Sequence, residues 1–578
     1  MNNNSRFYER LNEAEKLRYC EQCGACSSAC PITDINDFNI RRLLRFVELD
    51  FVEDIAGSPM PWFCATCWRC EEACPNGVKI SDIVRYLRAA GPVHMIPDAP
   101  QCVKACPAGI NIPGYLRLIA DNRPDEAYAL IMEKAPFPGV LGRVCPHPCE
   151  IACKRGQVNE PVAICAAKRY AADKTEKIPA TVFNVAEQTN HKIAIIGSGP
   201  AGLSAAFFLR KKGHSITIFE ARPKPGGMMR YGIPDFRLPE NVLGKEIDQI
   251  INMGIELKTG RKFGSESDIK SLSDDGFEAV FIAVGAQLCK KIPLQGAELS
   301  EVLLGLDFLV NINEGNTPEV KKNLIVIGGG NVAVDVALSA LRLGAEHVSM
   351  VCLESREEVP ADPKDIEMAM EHGVDIIYSW GPHKIIHENK KVSAAEFVKC
   401  ISVFDENGNF CPCFEHTKKI IKADQVILAI GQAVDTDFCN NFSFLNYKGT
   451  PGVENGLLDI DHKTQKTSVP GVFAGGDAAN GPARMIDAIA AGRRAANSID
   501  IYLHGNGISG SDISDRPDYD GKRETGFADQ KREISPMLDL SQRNKSFSEV
   551  NLCFDNEQAI KETGRCLQCD LEQRLVVG

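Results

Sequence analysis

Two stretches of the 578-residue chain repeat one phrase. "CEQCGACSSACP" places Cys20, Cys23, Cys26 and Cys30 at C-x2-C-x2-C-x3-C-P, and "CATCWRCEEACP" places Cys64, Cys67, Cys70 and Cys74 at the same spacing. Three thiols in so short a loop can wrap three irons of a cubane, while the fourth, ahead of Pro31 or Pro75, leads away to a neighbouring cluster. The pattern assigns Cys20, Cys23, Cys26 and Cys74 to one 4Fe-4S centre, and Cys64, Cys67, Cys70 and Cys30 to a second. A pair of zinc knuckles is the competing reading, but zinc does not need the doubled phrase.

A second cysteine block follows, "DAPQCVKACPAGINIPGYLRL" and then "GRVCPHPCEIACKRGQVNEPVAICAAKRYAAD", with Cys102, Cys106, Cys145, Cys149, Cys153 and Cys165. Near the other end, "GRCLQCDL" carries Cys566 and Cys569 with no second pair nearby. Two thiols cannot close a tetrahedral site alone, so this pair is idle, a disulfide, or half of a site completed elsewhere. Fourteen of the 23 cysteines lie in the first 165 residues. In a long chain whose opening, "MNNNSRFYERLNEAEK", has no apolar signal segment, that density points to metal or redox chemistry in the cytoplasm. Cys289, Cys352, Cys400, Cys411, Cys413, Cys439 and Cys553 lack cluster spacing and read as core or surface thiols.

Two glycine-rich turns carry a different chemistry. "HKIAIIGSGPAGLSAAFFLRKKGHSITIFEA" reads as strand, turn, helix and strand, with Gly197, Gly199 and Gly202 at G-x-G-x-x-G and Glu220 about 20 residues on. The first glycine permits the turn, the second lets pyrophosphate approach the backbone, and the third allows close helix packing. The helix N-terminus stabilises the phosphates, and Glu220 suits ribose hydroxyls. "KNLIVIGGGNVAVDVALSALRLGAEHVSMVCLESREEVPA" repeats the plan with Gly328, Gly330, Asn331 and Ala333, its second strand ending near Glu354. Two such units imply two nucleotides.

These sites need scaffolds. The length suggests several domains, and 44% hydrophobic residues suit a globular chain. A formal net charge of -12 argues against a nucleic-acid partner, and no apolar stretch is long enough to span a membrane. "NIRRLLRFVELDF" has helical spacing between the first two cysteine motifs. The expected fold class is α/β: two Rossmann-like dinucleotide-binding domains, preceded by two mainly helical iron-sulfur domains. The expected boundaries are a two-cluster ferredoxin-like domain at 1–97, a helical iron-sulfur domain at 98–188 and a first FAD-domain part at 189–315. A nicotinamide domain at 316–430, a second FAD-domain part at 431–504, and a linker and tail at 505–578 complete them. The polar, Gly/Ser/Asp-rich residues 505 to 550 read as an extended linker.

Several phrases resemble known families. "PWFCATCWRCEEACPNGVKISDIVRYLR" resembles the ferredoxin-like subunit of heterodisulfide reductase over roughly residues 15 to 92, which implies an electron relay. The second cysteine block resembles the iron-sulfur domain of the glutamate synthase small subunit and its relatives, among them dihydropyrimidine dehydrogenase and the ferredoxin:NADP oxidoreductase large subunit. That family opens with R-C-x-x-C ahead of the C-x3-C-P matched by Cys102 and Cys106; here the opening is missing and "RCLQC" stands at the tail instead. The resemblance therefore implies that Cys566 and Cys569 return to a cluster shared with Cys102 and Cys153. It implies a further cluster on Cys106, Cys145 and Cys149, with Cys165 as fourth ligand because Lys168, at the family's Glu/Gln position, cannot ligate while charged. The alternatives are an exposed or zinc-binding tail pair and, for Cys165, an ordinary buried thiol.

"VPGVFAGGDAANGPARMIDAIAAGRRAANSI" resembles the second flavin fingerprint of two-dinucleotide-domain flavoproteins, in which Asp477 would hold the ribityl or phosphate region. "PGGMMRYGIPDFRLP", with Gly226 and Gly227, is the family's phrase beside the flavin, so FAD belongs to the first fold and NAD(P) to the second. NADPH-using members carry two adjacent arginines where this chain has Leu353 and Glu354; a carboxylate suits a free ribose diol, so NAD(H) is favoured over NADP(H), although Arg356 could reach a 2'-phosphate. Hydride transfer to a flavin needs alignment and no acid-base pair, so no catalytic acid is assigned. The resemblance implies an NAD(P)H-linked flavoprotein subunit with FAD and four 4Fe-4S clusters, working in a hetero-oligomer with other redox subunits or ferredoxin. An electron-bifurcating complex is one form of that reading; a glutamate synthase small subunit and a non-catalytic electron carrier are the alternatives.

Overall fold

The structure is a computed structural model that describes residues 16–33, 35–264, 266–435, 447–448, 456–508 and 519–577; Cys439 lies outside the described residues. Two five-stranded parallel sheets dominate it. The first runs in the order Val472–Ala474, Ala279–Ile282, Lys192–Ile196, Ser215–Phe219, Glu256–Lys258. Its central strands, "KIAII" and "SITIF", are almost wholly buried, as parallel strands covered on both faces must be. Register is fixed by Ile193 opposite Ile216 on one side and Ala279 on the other. The helices Pro200–Lys211 and Met485–Tyr502 cover one face so closely that a Cβ on Gly492 would lie 2.2 Å from the Ala201 carbonyl oxygen.

The second sheet runs Val302–Leu304, Gln425–Leu428, Asn323–Ile327, His347–Val351, Asp375–Ile377. All of it falls in sequence between strands Ala279–Ile282 and Val472–Ala474 of the first sheet, so one α/β unit is nested within the other. The fold class is therefore α/β with two Rossmann-like sheets. A three-stranded antiparallel sheet, Trp380–Glu388, Lys391–Phe404 and Phe410–Lys422, interrupts the second unit before its last strand. Sequence reading did not separate it, because the outer strand is exposed on both faces and shows no alternation of polar with apolar residues.

Ahead of the sheets lie two helical regions. In the first, helices Ile40–Glu48, Val52–Ala56 and Ile80–Ala90 enclose a core of Leu43, Leu44, Val47, Ile83, Val84 and Leu87. Asn39 starts the first of these helices, its side-chain oxygen accepting the Arg42 N–H at 3.1 Å. In the second, helices Ile112–Ala120, Pro124–Met132, Pro138–Val144 and Ile164–Lys174 share a core with the first sheet, joining Leu116, Ile131 and Phe137 to Phe207 and Phe281. The tail contributes Asn556–Gly564, opened by an Asp555/Gln558 capping box, and Cys569–Val577. These pack on Ile112–Ala120 and Ile80–Ala90 respectively, bringing chain end and both cysteine regions together. Among the described residues no helix is long and apolar enough to cross a membrane.

Candidate functional site

A cavity of about 790 Å³ at the first sheet is lined by Gly197, Gly199, Glu220, Gly227 and Asp477. Gly197 turns with φ +103°, and a Cβ there would meet the Ala283 carbonyl oxygen at 2.4 Å; a Cβ on Gly202 would lie 2.0 Å from the Gly197 oxygen. Gly199 has nothing within 4 Å of its Cβ direction, leaving bare backbone at the helix N-terminus for a phosphate. The Glu220 carboxylate accepts the Ser198 N–H at 3.0 Å and the Arg222 N–H at 2.8 Å, and takes a third bond from the Ser198 hydroxyl. It is thereby held at the cavity wall. Gly226 and Gly227 turn with φ +132° and +55°, the second so near Gly199 that a Cβ would stand 2.8 Å from its Cα. Burial pushes the Asp477 carboxyl up to about 6.

The same cavity reaches Asn331, Val332 and Asp335 on the first turn of helix Asn331–Arg342, which belongs to the nested unit. There Gly328 adopts φ +143°, with the Ala429 carbonyl oxygen 2.2 Å from its Cβ position, and Gly330 again presents open backbone. The Asn331 side chain accepts the Asp362 N–H at 2.8 Å, and Ala333 is fully buried. A Glu354 carboxylate oxygen lies 3.0 Å from the Cβ direction of Gly329, directly over the glycine turn, while Arg356 is exposed. Arg237 clamps the two units, donating to Asp335 at 2.9 Å and Asp365 at 2.8 Å while lining the cavity. Sequence reading missed it, though it stands inside the quoted "PDFRLP" phrase.

The cysteines fall into sets. One small cavity is lined by Cys20, Cys23, Cys26 and Cys74, and another by Cys30, Cys64, Cys67 and Cys70. A third, of about 250 Å³, is lined by Cys102, Cys153, Cys566 and Cys569, with Cys64 on its far wall. The chain end thus comes back beside Cys102. Among the described residues no three His, Cys, Asp or Glu side chains converge as around a single ion. The thiols instead ring open volume, which is the donor arrangement a multinuclear cluster takes. Burial, followed by the neighbouring Cys569, pushes the Cys566 thiol up to about 12, and burial lifts Cys569 to about 11.

Cys106, Cys145, Cys149 and Cys165 form the fourth set, gathered around buried Lys168. The Cys165 thiol lies against backbone, donating toward the carbonyl oxygens of Gly142 at 3.4 Å and Leu141 at 3.5 Å. Val144 and Pro146, on either side of Cys145, line the large cavity, and buried Tyr115, whose hydroxyl donates to the Ile164 carbonyl at 3.2 Å, lies near both the Cys106 set and Cys102. The sites therefore form one series: large cavity, Cys145 set, Cys102 set, Cys64 set and, across helix Ala25–Ala29, the Cys20 set.

A web of buried charge holds the tail in place. Arg565 and Glu562, both fully buried, pair at 2.7 Å; Glu562 also accepts the N–H groups of Ala163 and Glu533, each at 2.7 Å. Arg85 grips Glu572 through two bonds of 3.0 and 2.9 Å, and Arg117 pairs with Asp570 at 2.8 Å. The segment ahead of the tail has little regular structure yet is docked: Arg155 donates to the Phe527 carbonyl at 2.8 Å, and Phe527 and Ala528 are buried.

The pyridine nucleotide-disulphide oxidoreductase family model matches residues 191–492, more than half of the chain, and the chain belongs to that family. A 4Fe-4S dicluster domain matches residues 16–78, and the 4Fe-4S cluster domain II of dihydropyrimidine dehydrogenase matches 97–179. The chain is 35% identical over 504 residues to the NADP(+)-dependent formate dehydrogenase subunit beta of Moorella thermoacetica, covering 81% of this chain and 70% of that one. It is 31% identical over 600 residues to the NADPH-Fe(3+) oxidoreductase subunit beta of Geobacter sulfurreducens, covering 96% and 89%. It is also 31% identical over 395 residues to the NAD-dependent dihydropyrimidine dehydrogenase subunit PreT of Salmonella typhimurium, covering 68% and 88%. The chain is accordingly a redox enzyme subunit with flavin- and nicotinamide-binding regions and 4Fe-4S regions.

Proposed function

We propose that this chain is the nicotinamide-linked subunit of a larger redox complex, passing electrons between NAD(H) and a partner protein, to or from which they travel singly. The observation that carries the reading is the unbroken series of sites from the large cavity to exposed Cys23. When bound, FAD accepts a hydride from the nicotinamide, and 4Fe-4S clusters carry electrons one at a time.

The chain's own residues bind, orient and enclose. Gly197, Gly199, Gly202, Glu220, Gly226, Gly227 and Asp477 hold the FAD; Gly328, Gly330, Asn331 and Ala333 hold the nicotinamide dinucleotide. Glu354 over the second glycine turn accepts ribose hydroxyls and repels a 2'-phosphate, which favours NADH even though two of the named relatives carry NADP(H) in their names. The cluster ligands are Cys20, Cys23, Cys26 and Cys74; Cys64, Cys67, Cys70 and Cys30; Cys102, Cys153, Cys566 and Cys569; and Cys106, Cys145, Cys149 and Cys165. Deep burial that keeps free thiols protonated also shields thiolates once a cationic cluster balances them. The names of relatives as beta subunits support a hetero-oligomer.

The test is anaerobic purification with iron, sulfide and flavin counts, followed by titration with each nicotinamide. Four clusters give about sixteen irons per chain. NADH should bleach the flavin at lower concentration than NADPH, and replacing Leu353 and Glu354 with arginine should reverse that order by roughly tenfold or more. Failure of both nicotinamides to bleach the flavin would overturn the reading.

A further inference from the structure

The Cys20 set lies at the end of the series, and its surroundings differ from the rest of the molecule. Cys23 is exposed, Tyr19 is 50% exposed, and three cations stand around them. The Arg41 guanidinium lies over the cluster loop, its Nη1 3.7 Å from the Cβ direction of Gly24. The Lys16 ammonium reaches the other loop, 3.9 Å from the Cβ direction of Gly77, and the Arg18 guanidinium sits 5.0 Å from the centre of the Tyr19 ring. Lys16, Arg18 and Arg41 are exposed, and no carboxylate among the described residues pairs with them. Glu21 in the loop and Asp37 just ahead of helix Ile40–Glu48 are exposed carboxylates close in sequence to these cations; Glu48 is engaged by Gln22 and Arg45. The whole chain carries a net charge of -12, so a cationic collar at this spot runs against the general field.

We infer that the face around Cys23 is the docking surface for an acidic electron-transfer protein or domain carrying its own redox centre near its surface. The inference rests on the proposed reading of the Cys20 set as a cluster site. Complementary charge raises encounter rates and orients the two centres, and the apolar ring of Tyr19 supplies the water-excluding contact beside exposed Cys23. The step is a single electron transfer: the reduced centre here is oxidised, the partner's oxidised centre is reduced, and no bond or proton changes hands. An acidic protein meets unpaired cations at the collar, although the chain as a whole is acidic. A basic redox protein would show the reverse preference.

The experiment uses the full holoprotein with two probes: an acidic bacterial two-cluster ferredoxin and the basic protein cytochrome c. Binding of the oxidised probes is measured by calorimetry, and their reduction by dithionite-reduced protein is followed in a stopped-flow instrument. Dithionite bypasses the nicotinamide site, so a failure of NADH to reduce the protein counts against the proposed function and leaves the docking test readable. Raising ionic strength from about 0.05 to about 0.5 M should weaken ferredoxin binding and slow its reduction by roughly tenfold or more. The triple variant Lys16→Glu, Arg18→Glu and Arg41→Glu should do the same at low salt, while Lys418→Glu with Lys419→Glu, on the exposed antiparallel sheet, should not. The triple variant should also improve reaction with cytochrome c. If the triple variant loses iron, the wild-type salt series with the two probes decides alone. Ferredoxin binding that is indifferent to salt, or weakened equally by the Lys418 and Lys419 control, overturns the inference.

Discussion

Between Cys20 and Cys74 eight cysteines and the helices that hold them come from one local stretch, whereas the cavity of Cys102 and Cys153 takes Cys566 and Cys569 from the end of the chain. The first region is closed by its own apolar core of Leu43, Val47, Ile83 and Leu87. The second shares the apolar core of the first sheet, Cys566 included, and is pinned in addition by buried ion pairs and by backbone carbonyls that take arginine hydrogen bonds. A local site can be stabilised by nonspecific apolar burial, since the spacing of the chain already sets its geometry. A site assembled across most of the sequence needs directional contacts to fix where the returning segment lands. The cost of that solution is sensitivity: removing one partner of a buried pair strands the other.

The strongest way to break the contrast is Arg565→Met. It leaves Glu562 charged and fully buried without its cation, and should cost about 3–5 kcal/mol of stability. Denaturant unfolding should show that loss, and limited proteolysis should open the segment after residue 519, while the cluster signals of the Cys20 and Cys64 sets stay intact. Equal damage to those signals would mean that the two regions are one cooperative unit.

A smaller effect concerns how the second region joins the first sheet. The Glu246 carboxylate accepts the N–H groups of Gly139 at 2.6 Å and Val140 at 3.1 Å, and burial pushes its pKa up to about 7 from 4.5. Because the folded chain holds this proton more tightly than the unfolded one, the contribution is fully present below about pH 4.5 and lost as pH rises through about 7. Wild-type stability should therefore fall as pH rises from about 5 to 8, and Glu246→Gln, which loses one of the two acceptors at every pH, should remove that fall. Thermal melts across that range check the sign. Smallest of the three, Asn39→Ala removes the cap of helix Ile40–Glu48 and should cost about 1 kcal/mol, confined to the first region. Hydrogen exchange should rise in residues 40–48 and not in the tail.

The contrast also explains what could be read from sequence. The doubled cysteine phrase and both glycine turns are local, and their chemistry is written in spacing; Gly197 and Gly328 turn where the pattern places them. The nested order was legible because the Asp477 phrase follows the second glycine unit. The juxtaposition of the tail with Cys102 was legible only as a gap, a missing pair in one place and a spare pair in another. What holds it there was not legible: Arg155, Arg565, Glu562 and the Arg85–Glu572 grip join residues hundreds of positions apart and leave no periodic trace. The docking of Phe527 within a stretch that reads as linker is hidden for the same reason, since its polar composition conceals the buried pair Phe527 and Ala528.

The central claim is that the end of the chain completes a cluster with Cys102 and Cys153. Cys566→Ser together with Cys569→Ser, purified anaerobically, tests it by iron count and low-temperature electron paramagnetic resonance. The account predicts a fall from about sixteen to about twelve irons, with the signals of the Cys20 and Cys64 sets unchanged. Retention of all four clusters in the double variant would contradict it.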